Sequence, residues 1–170
     1  MFLELDGCAV RSFSISDADS IALHANNKKI WIQLRDIFPY PYSKQDALDF
    51  INFSINQVPE CNFAITVDNK AVGTIGLVLN KDIERFSAEI GYWLGESFWD
   101  RGITTKVLKA VADYAMDKFS LNRIYAYPFV RNTASVRVLE KAGFKNEGTL
   151  IRSAFKNKVF EDQYLYALVR

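Results

Sequence analysis

The chain has 170 residues, close to half of them hydrophobic and about a quarter charged, enough to bury one sizeable core in a single domain over residues 1–170. A formal net charge of +1 offers no bulk attraction for nucleic acid, and no apolar run reaches the length of a membrane span, so neither partner is expected. Cys8 and Cys61 lack metal-ligand spacing and read as free thiols of a reducing cytoplasm, His24 is the only histidine, and the first six residues carry acids where a signal peptide needs bases; a cytoplasmic protein with no metal site and no histidine triad is expected.

Cys8 to Phe13 reads as a first strand, and Ser16-x-x-Asp19 as a capping box opening a helix through about Ala25. A second helical piece covers about Asn27 to Arg35. Two prolines make Phe38-Pro39-Tyr40-Pro41-Tyr42 an extended link, after which Ser43-x-x-Asp46 starts a helix to about Asn56. Phe63, Ile65 and Val67 alternate as a strand, Asp68-Asn69-Lys70 turns, and Ala71 to Leu79 returns as the hairpin partner. Glu84 to Leu94 is a further strand. Val107, Leu108, Val111, Ala112, Ala115, Met116 and Phe119 then recur at helical spacing as one apolar stripe. Asn122 to Tyr127 is a strand that Pro128 limits. Asn132 caps a helix through Ala142, with Gly143 as its C′ residue and Phe144 folding back on Leu139. Lys145 to Ser153 and Val159 to Val169 close the chain as strands. This order predicts an α/β (α+β) domain, with a mixed, mostly antiparallel twisted sheet of about seven strands and helices on both faces.

One loop carries chemistry. Phe98-Trp99-Asp100-Arg101-Gly102-Ile103-Thr104-Thr105 lies between a strand and a long helix. Free amides at the start of that helix, the positive end of its dipole and the charge of Arg101 suit a phosphate or pyrophosphate. Taken alone, a single glycine at such a turn is more often just a turn.

Two segments carry a family resemblance. Glu89-Ile-Gly-Tyr-Trp-Leu-Gly-Glu-Ser-Phe-Trp-Asp-Arg-Gly-Ile-Thr-Thr and Asn132-Thr-Ala-Ser135-Val-Arg-Val-Leu-Glu140-Lys141-Ala-Gly143-Phe144 resemble the cofactor core of the GNAT acyl-CoA N-acetyltransferases. The branch of the ribosomal-protein acetyltransferases RimJ and RimL is the most similar, and the likeness spans nearly the whole chain. Thr104 stands where that family has Gly or Ala, and Asp100 replaces a common glycine; Asp100 is expected to cap the helix. The resemblance implies two splayed central strands and a bound acetyl-CoA. The amides of Arg101, Gly102, Ile103, Thr104 and Thr105 would take the pyrophosphate, and main-chain groups of Trp93 and Leu94 the pantetheine arm. It also implies Asn132 on that arm, Ser135 as proton donor to the departing thiolate, and Lys141 near the terminal phosphate.

The acceptor amine must be neutral to attack. An α-amine titrates near 7.7–8.0 and a lysine near 10.4, so deprotonation at pH 7 costs about 1 and about 4.6 kcal/mol respectively. Glu89 is the candidate base, directly or through water, with a salt-bridged strand residue as the alternative. So modest a base favours α-amines, which agrees with an N-terminal acceptor, a ribosomal or other protein. Polyamines and amino sugars stay open, as does a non-catalytic acyl-CoA sensor. Trp31, Tyr40, Tyr42, Arg152 and Tyr164 are candidates to border the acceptor. A monomer or a homodimer is expected.

Overall fold

The computed structural model describes residues Met1–Arg170. Eight strands and five α-helices follow in the order β1 (Phe2–Leu5), β2 (Cys8–Arg11), α1 (Ala18–Ala25), α2 (Lys28–Trp31), α3 (Lys44–Asn56), β3 (Asn62–Val67), β4 (Lys70–Leu79), β5 (Ser87–Leu94), α4 (Ile103–Lys118), β6 (Arg123–Ala126), α5 (Thr133–Lys141), β7 (Lys145–Lys156) and β8 (Val159–Val169). Short 3-10 turns precede α1, β5 and α4. The sheet is mixed and mostly antiparallel, and β5 runs parallel to β6. The chain divides into two compact units, Met1–Gly76 with Tyr92–Val107, and Leu77–Gly91 with Leu108–Arg170; β4, β5 and α4 each run through both.

The first unit orders its strands β1-β2-β3-β4. β1, unforeseen in the sequence, pairs antiparallel with β2 from Phe2↔Arg11 to Leu5↔Cys8. Asp6-Gly7 makes the turn, with Gly7 at φ +77°, so an Asp-Gly hairpin signal was present but lacked a long apolar run on either side. Asp68 and Asn69 both take positive φ, which gives the β3–β4 hairpin the twist of its strands. The core of this unit gathers Phe13, Ile21, Ile30, Tyr42, Ile51 and Trp93.

The first capping box sits two residues earlier than expected. Ser14, not Ser16, is the cap, and Asp17 closes the box by accepting from the Ser14 amide at 2.8 Å. The reason is tertiary: the Arg11 guanidinium grips Asp17 through bonds of 2.8 and 2.7 Å, which holds this buried carboxylate against the chain. The box at Ser43 and Asp46 stands as read.

The second unit orders its strands β5-β6-β8-β7. β6 pairs antiparallel with β8 from Arg123↔Val169 to Ala126↔Tyr166. The β7–β8 hairpin turns on Asn157 and Lys158, and its register shifts between Leu150 and Ala154. Arg152, at φ +50°, lies in that bulge, where its amide donates to Asp162 Oδ1 at 2.7 Å. Leu108, Val111, Ala112 and Ala115 of α4 are fully buried, as their spacing requires. α5 ends in a Schellman motif: Phe144 N donates to Leu139 O and Gly143 N to Glu140 O, both at 3.0 Å, with Gly143 at φ +93°.

Candidate functional site

In the first unit the end of β5 is gripped from one side. Gly95 N donates to Val72 O at 2.7 Å. A methyl built on Gly73 would overlap the Trp93 carbonyl oxygen and stand 3.0 Å from Leu94 Cα, so glycine is what lets the two backbones approach there. The chain then turns through Glu96–Phe98 into α4. Trp99 Nε1 donates to the Leu94 carbonyl at 2.7 Å. Glu96 is held by Lys29 and by Asn27 Nδ2, the latter at 2.7 Å, while Lys106 Nζ reaches Asp6 Oδ2 at 2.6 Å. These ties pin both flanks of the loop, and they pull the Glu96 and Asp6 carboxyls below their ordinary range.

Gly102 takes φ +72°, and a Cβ there would meet nothing within 4 Å. Its carbonyl accepts the Lys106 amide at 3.2 Å, which makes Gly102 the residue that opens α4. Asp100, at φ +60° and two residues earlier, is therefore not the helix cap that the sequence suggests. The amides of Ile103, Thr104 and Thr105 lie in the first turn, outside the intrahelical ladder. Arg101 is exposed; its Nη2 donates to Ser97 O at 2.8 Å, and its guanidinium lies 5.3 Å from the centre of the Phe98 ring. A helix start with open space at its glycine and an anchored arginine beside it can hold an anion.

The three aromatic acceptor candidates of this unit fall in two places. Trp31 and Tyr40 form a ring pair at 5.7 Å, with Tyr40 exposed and followed by a cis peptide to Pro41. Tyr42 is buried and packs on Phe38, whose ring also meets Trp93. That surrounding suits packing, and burial pushes the Tyr42 phenol up to about 12.

In the second unit β5 and β6 part. They pair at Ser87↔Arg123, Ala88↔Ile124 and Glu89↔Tyr125, and no pairing extends beyond Glu89 although β5 continues to Leu94. The backbone after β6 has turned to β8. Gln163 Nε2 donates to Tyr127 O, Tyr164 N to Pro128 O, and Val130 N to Asp162 O, each at 3.0 Å. Pro128 has no N–H to offer β5 in any case. Half-buried Glu89 thus stands at the fork of two parallel strands.

Asn132 caps α5: its Oδ1 accepts the Ser135 amide at 3.2 Å, which fastens Ser135 in the first turn, half-buried. Lys141 is exposed in the last turn. Tyr164 is half-buried on β8 with its ring against Tyr166, and Arg152 is exposed in the bulge with its guanidinium 4.6 Å from the Phe160 ring centre.

The family profile described as "Acetyltransferase (GNAT) domain" matches residues 9–145. This chain belongs to the GNAT acetyltransferase family. It is 30% identical over 169 residues to the "Probable N-acetyltransferase YjcK" of Bacillus subtilis, covering 94% of this chain and 92% of that one. It is 32% identical over 107 residues to the ribosomal-protein-serine acetyltransferase of Escherichia coli, covering 63% of this chain and 59% of the other. Its fold matches the structure of RimL, described as a ribosomal L7/L12 alpha-N-protein acetyltransferase in complex with coenzyme A. The TM-score is 0.88 at 22% identity, over 99% of this chain and 98% of that one.

This GNAT protein is an acetyl-CoA-dependent N-acetyltransferase with an α/β sheet of eight strands. Within its first unit Trp93, Leu94 and the residues 101–105 lie along one continuous strand–turn–helix path, and within its second Asn132 and Ser135 are joined by a hydrogen bond. Sequence reading missed the ties that hold the GNAT loop in shape, the Trp99 bond to Leu94 and the Lys29–Glu96 and Lys106–Asp6 pairs. Only the aromatic residue at the loop start was a signal; the ion pairs join residues 67 and 100 positions apart and leave no local trace.

Proposed function

We propose that this N-acetyltransferase transfers the acetyl group of acetyl-CoA to an N-terminal α-amine of a peptide or protein by direct attack. The observation that carries this reading is the fork at Glu89, where the parallel pairing of β5 with β6 ends and an acid stands at its last pair. An acetyl thioester supplies an activated acyl group, and this chain's residues have to bind its carrier, take one proton and return another.

The pyrophosphate falls to the first-turn amides of Ile103, Thr104 and Thr105, with Arg101 and Gly102. Main-chain groups of Trp93 and Leu94 serve the pantetheine arm in the manner of an added strand. Asn132 uses its Oδ1 as the α5 cap, and its Nδ2 carries the donors that a pantetheine carbonyl would take. Lys141 serves the terminal phosphate. Glu89 takes one proton from the acceptor ammonium, leaving a neutral amine and a carboxylic acid. Ser135 Oγ gives its proton to the thiolate as the C–S bond breaks and regains one through solvent from the newly acylated nitrogen, which thereby becomes a neutral amide, at the helix end where the dipole favours negative charge. Trp31 and Tyr40 in the first unit, and Arg152 and Tyr164 in the second, are the acceptor candidates, while Tyr42 packs on Phe38 in the core of the first unit.

The protein-acceptor reading draws on the likeness to a ribosomal-protein-serine acetyltransferase and on RimL, which acts on a ribosomal protein N-terminus. It also follows from energetics, since an α-amine asks about 3.6 kcal/mol less of a weak base than a lysine does at pH 7. The test is thiol release from acetyl-CoA with Ser- and Ala-initiated peptides, lysine with a blocked α-amine, and spermidine. Turnover of the peptides well above the other two supports the reading. Preference for spermidine or lysine overturns it. In the same assay Ser135→Ala should lower kcat by about tenfold to a hundredfold and leave KM for acetyl-CoA unchanged.

A further inference from the structure

Glycine weakens a strand, because it has the most freedom to lose on folding and no side chain to pack, so a glycine inside a strand calls for a reason. Seven of the eight glycines in this chain have a local one. A Cβ on Gly73, Gly76 or Gly95 would run into neighbouring atoms. Gly7, Gly102 and Gly143 take φ of +77°, +72° and +93°, and Gly148 sits where the β7 register shifts. Gly91, inside β5, has none of these: its φ is not positive, and a Cβ built on it meets nothing within 4 Å. Alanine would fit there without strain and would strengthen the strand. Among the uses of a strand glycine, the close approach of a bound molecule to the backbone is the one left.

The position of Gly91 says which part of a bound molecule comes near. It lies two residues past Glu89 on β5, so alternation puts both on one face, about 6.6 Å apart along the strand. Burial follows that alternation. Ala88 and Ile90 are buried on the opposite face, while Glu89 is half-buried and Gly91 exposed. On one side of Glu89 the strand is closed by its β6 pairs at Ser87 and Ala88; on the other, at Gly91, no β6 pair remains. The open approach to Glu89 along β5 therefore runs over Gly91. An amine that gives its proton to Glu89 has its carbon substituents on that side. The α-carbon of an N-terminal residue is branched, with a carbonyl and a side chain, and asks for width beside the strand.

We propose that Gly91 is a specificity-determining residue: with no side chain of its own, it leaves room over β5 for the side chain of the acceptor's first residue. This rests on the reading of an N-terminal α-amine as acceptor, with Glu89 as its base. A methyl at position 91 competes for the space that the acceptor's side chain takes, and spares an acceptor that has none.

The experiment compares kcat/KM for a Ser-initiated and a Gly-initiated peptide of otherwise identical sequence in the parent protein, Gly91→Ala and Gly91→Val. Both acceptors offer an α-amine and differ only in the side chain of the first residue. Gly91→Ala should lower kcat/KM for the Ser-initiated peptide about tenfold relative to the Gly-initiated one, and Gly91→Val by more, since one methyl in a fitted site is worth about tenfold or above. Coenzyme A affinity should match the parent protein in both variants. The melting temperature of Gly91→Ala should not fall, because the backbone and the space there accept a Cβ. An unchanged Ser-to-Gly ratio in both variants, with the parent active on both peptides, overturns the proposal and leaves the acceptor reading standing. An equal loss on both peptides, or a matching loss of coenzyme A affinity, overturns it as well, since position 91 would then serve the cofactor. A lowered melting temperature in Gly91→Ala assigns the glycine to the fold and overturns it too. A parent protein that acetylates neither peptide sinks the acceptor reading, and this proposal with it.

Discussion

The indole Nε1 of Trp99 donates to the main-chain carbonyl of Leu94 across 2.7 Å, and this one bond spans the turn from the end of β5 to the start of α4. Leu94 is one of the two residues whose main chain we assign to the pantetheine arm, and α4 begins four residues after Trp99. On that assignment the indole ties the two parts of the proposed cofactor site to each other through one side chain. Trp99→Phe should cost about 1 kcal/mol of stability, the net worth of one hydrogen bond. It should also weaken coenzyme A binding severalfold. Urea denaturation and titration calorimetry check the two; unchanged affinity would mean that the loop holds its shape without the indole.

Arg101 is exposed and anchored to the Ser97 carbonyl. Reversing its charge should leave the fold intact, because its bond is at the surface. Beside a pyrophosphate the same change meets two like charges. Arg101→Glu is expected to weaken coenzyme A binding by tenfold or more, about 1.4 kcal/mol. The loss should shrink as salt is raised. A circular dichroism spectrum and a salt series of binding isotherms test this.

Asn132 has a structural and a proposed functional task, and two substitutions separate them. Asn132→Ala removes the α5 cap and should cost about 1 kcal/mol. Asn132→Asp keeps an acceptor for the Ser135 amide at a helix N-terminus, so stability should be retained. The aspartate has no N–H to offer a pantetheine carbonyl, and coenzyme A affinity should fall as far as in the alanine variant. Retained affinity in Asn132→Asp would leave Asn132 a cap and nothing more.

Tyr42 makes stability depend on alkaline pH. Burial, and next Asp46, raise its phenol from 10 to about 12 in the folded protein. Between those values the unfolded chain loses the proton while the fold keeps it, so the unfolded state binds fewer protons and stability falls as pH rises. Below pH 10 both states are protonated and the contribution is flat. Tyr42→Phe should flatten this part of the stability profile between pH 10 and 12, read from denaturation midpoints of the two proteins side by side.

Features set by local backbone chemistry were legible from the residues in order. The stripe of α4, the box at Ser43 and Asp46, and the cap at Asn132 depend on groups within a few positions of one another. So does the close of α5 at Gly143 and Phe144. The glycine loop and the Asn132–Ser135 segment are also short contiguous stretches, and it was their resemblance to the GNAT family that pointed to an acetyl-CoA enzyme.

Tertiary structure decided what distant partners control. Lys29 holds Glu96 and Lys106 holds Asp6, pairs 67 and 100 positions apart that pin the loop before α4. The fork at Glu89 was foreseen through a resemblance, and its cause emerged only with β8, which binds the backbone after β6 at Tyr127, Pro128 and Val130. A hydrogen bond between neighbours in sequence is announced by residue type, because the chain brings the groups together at little entropic cost. One that joins residues tens of positions apart exists only after a whole core has closed that loop, and no short stretch of sequence carries its signature.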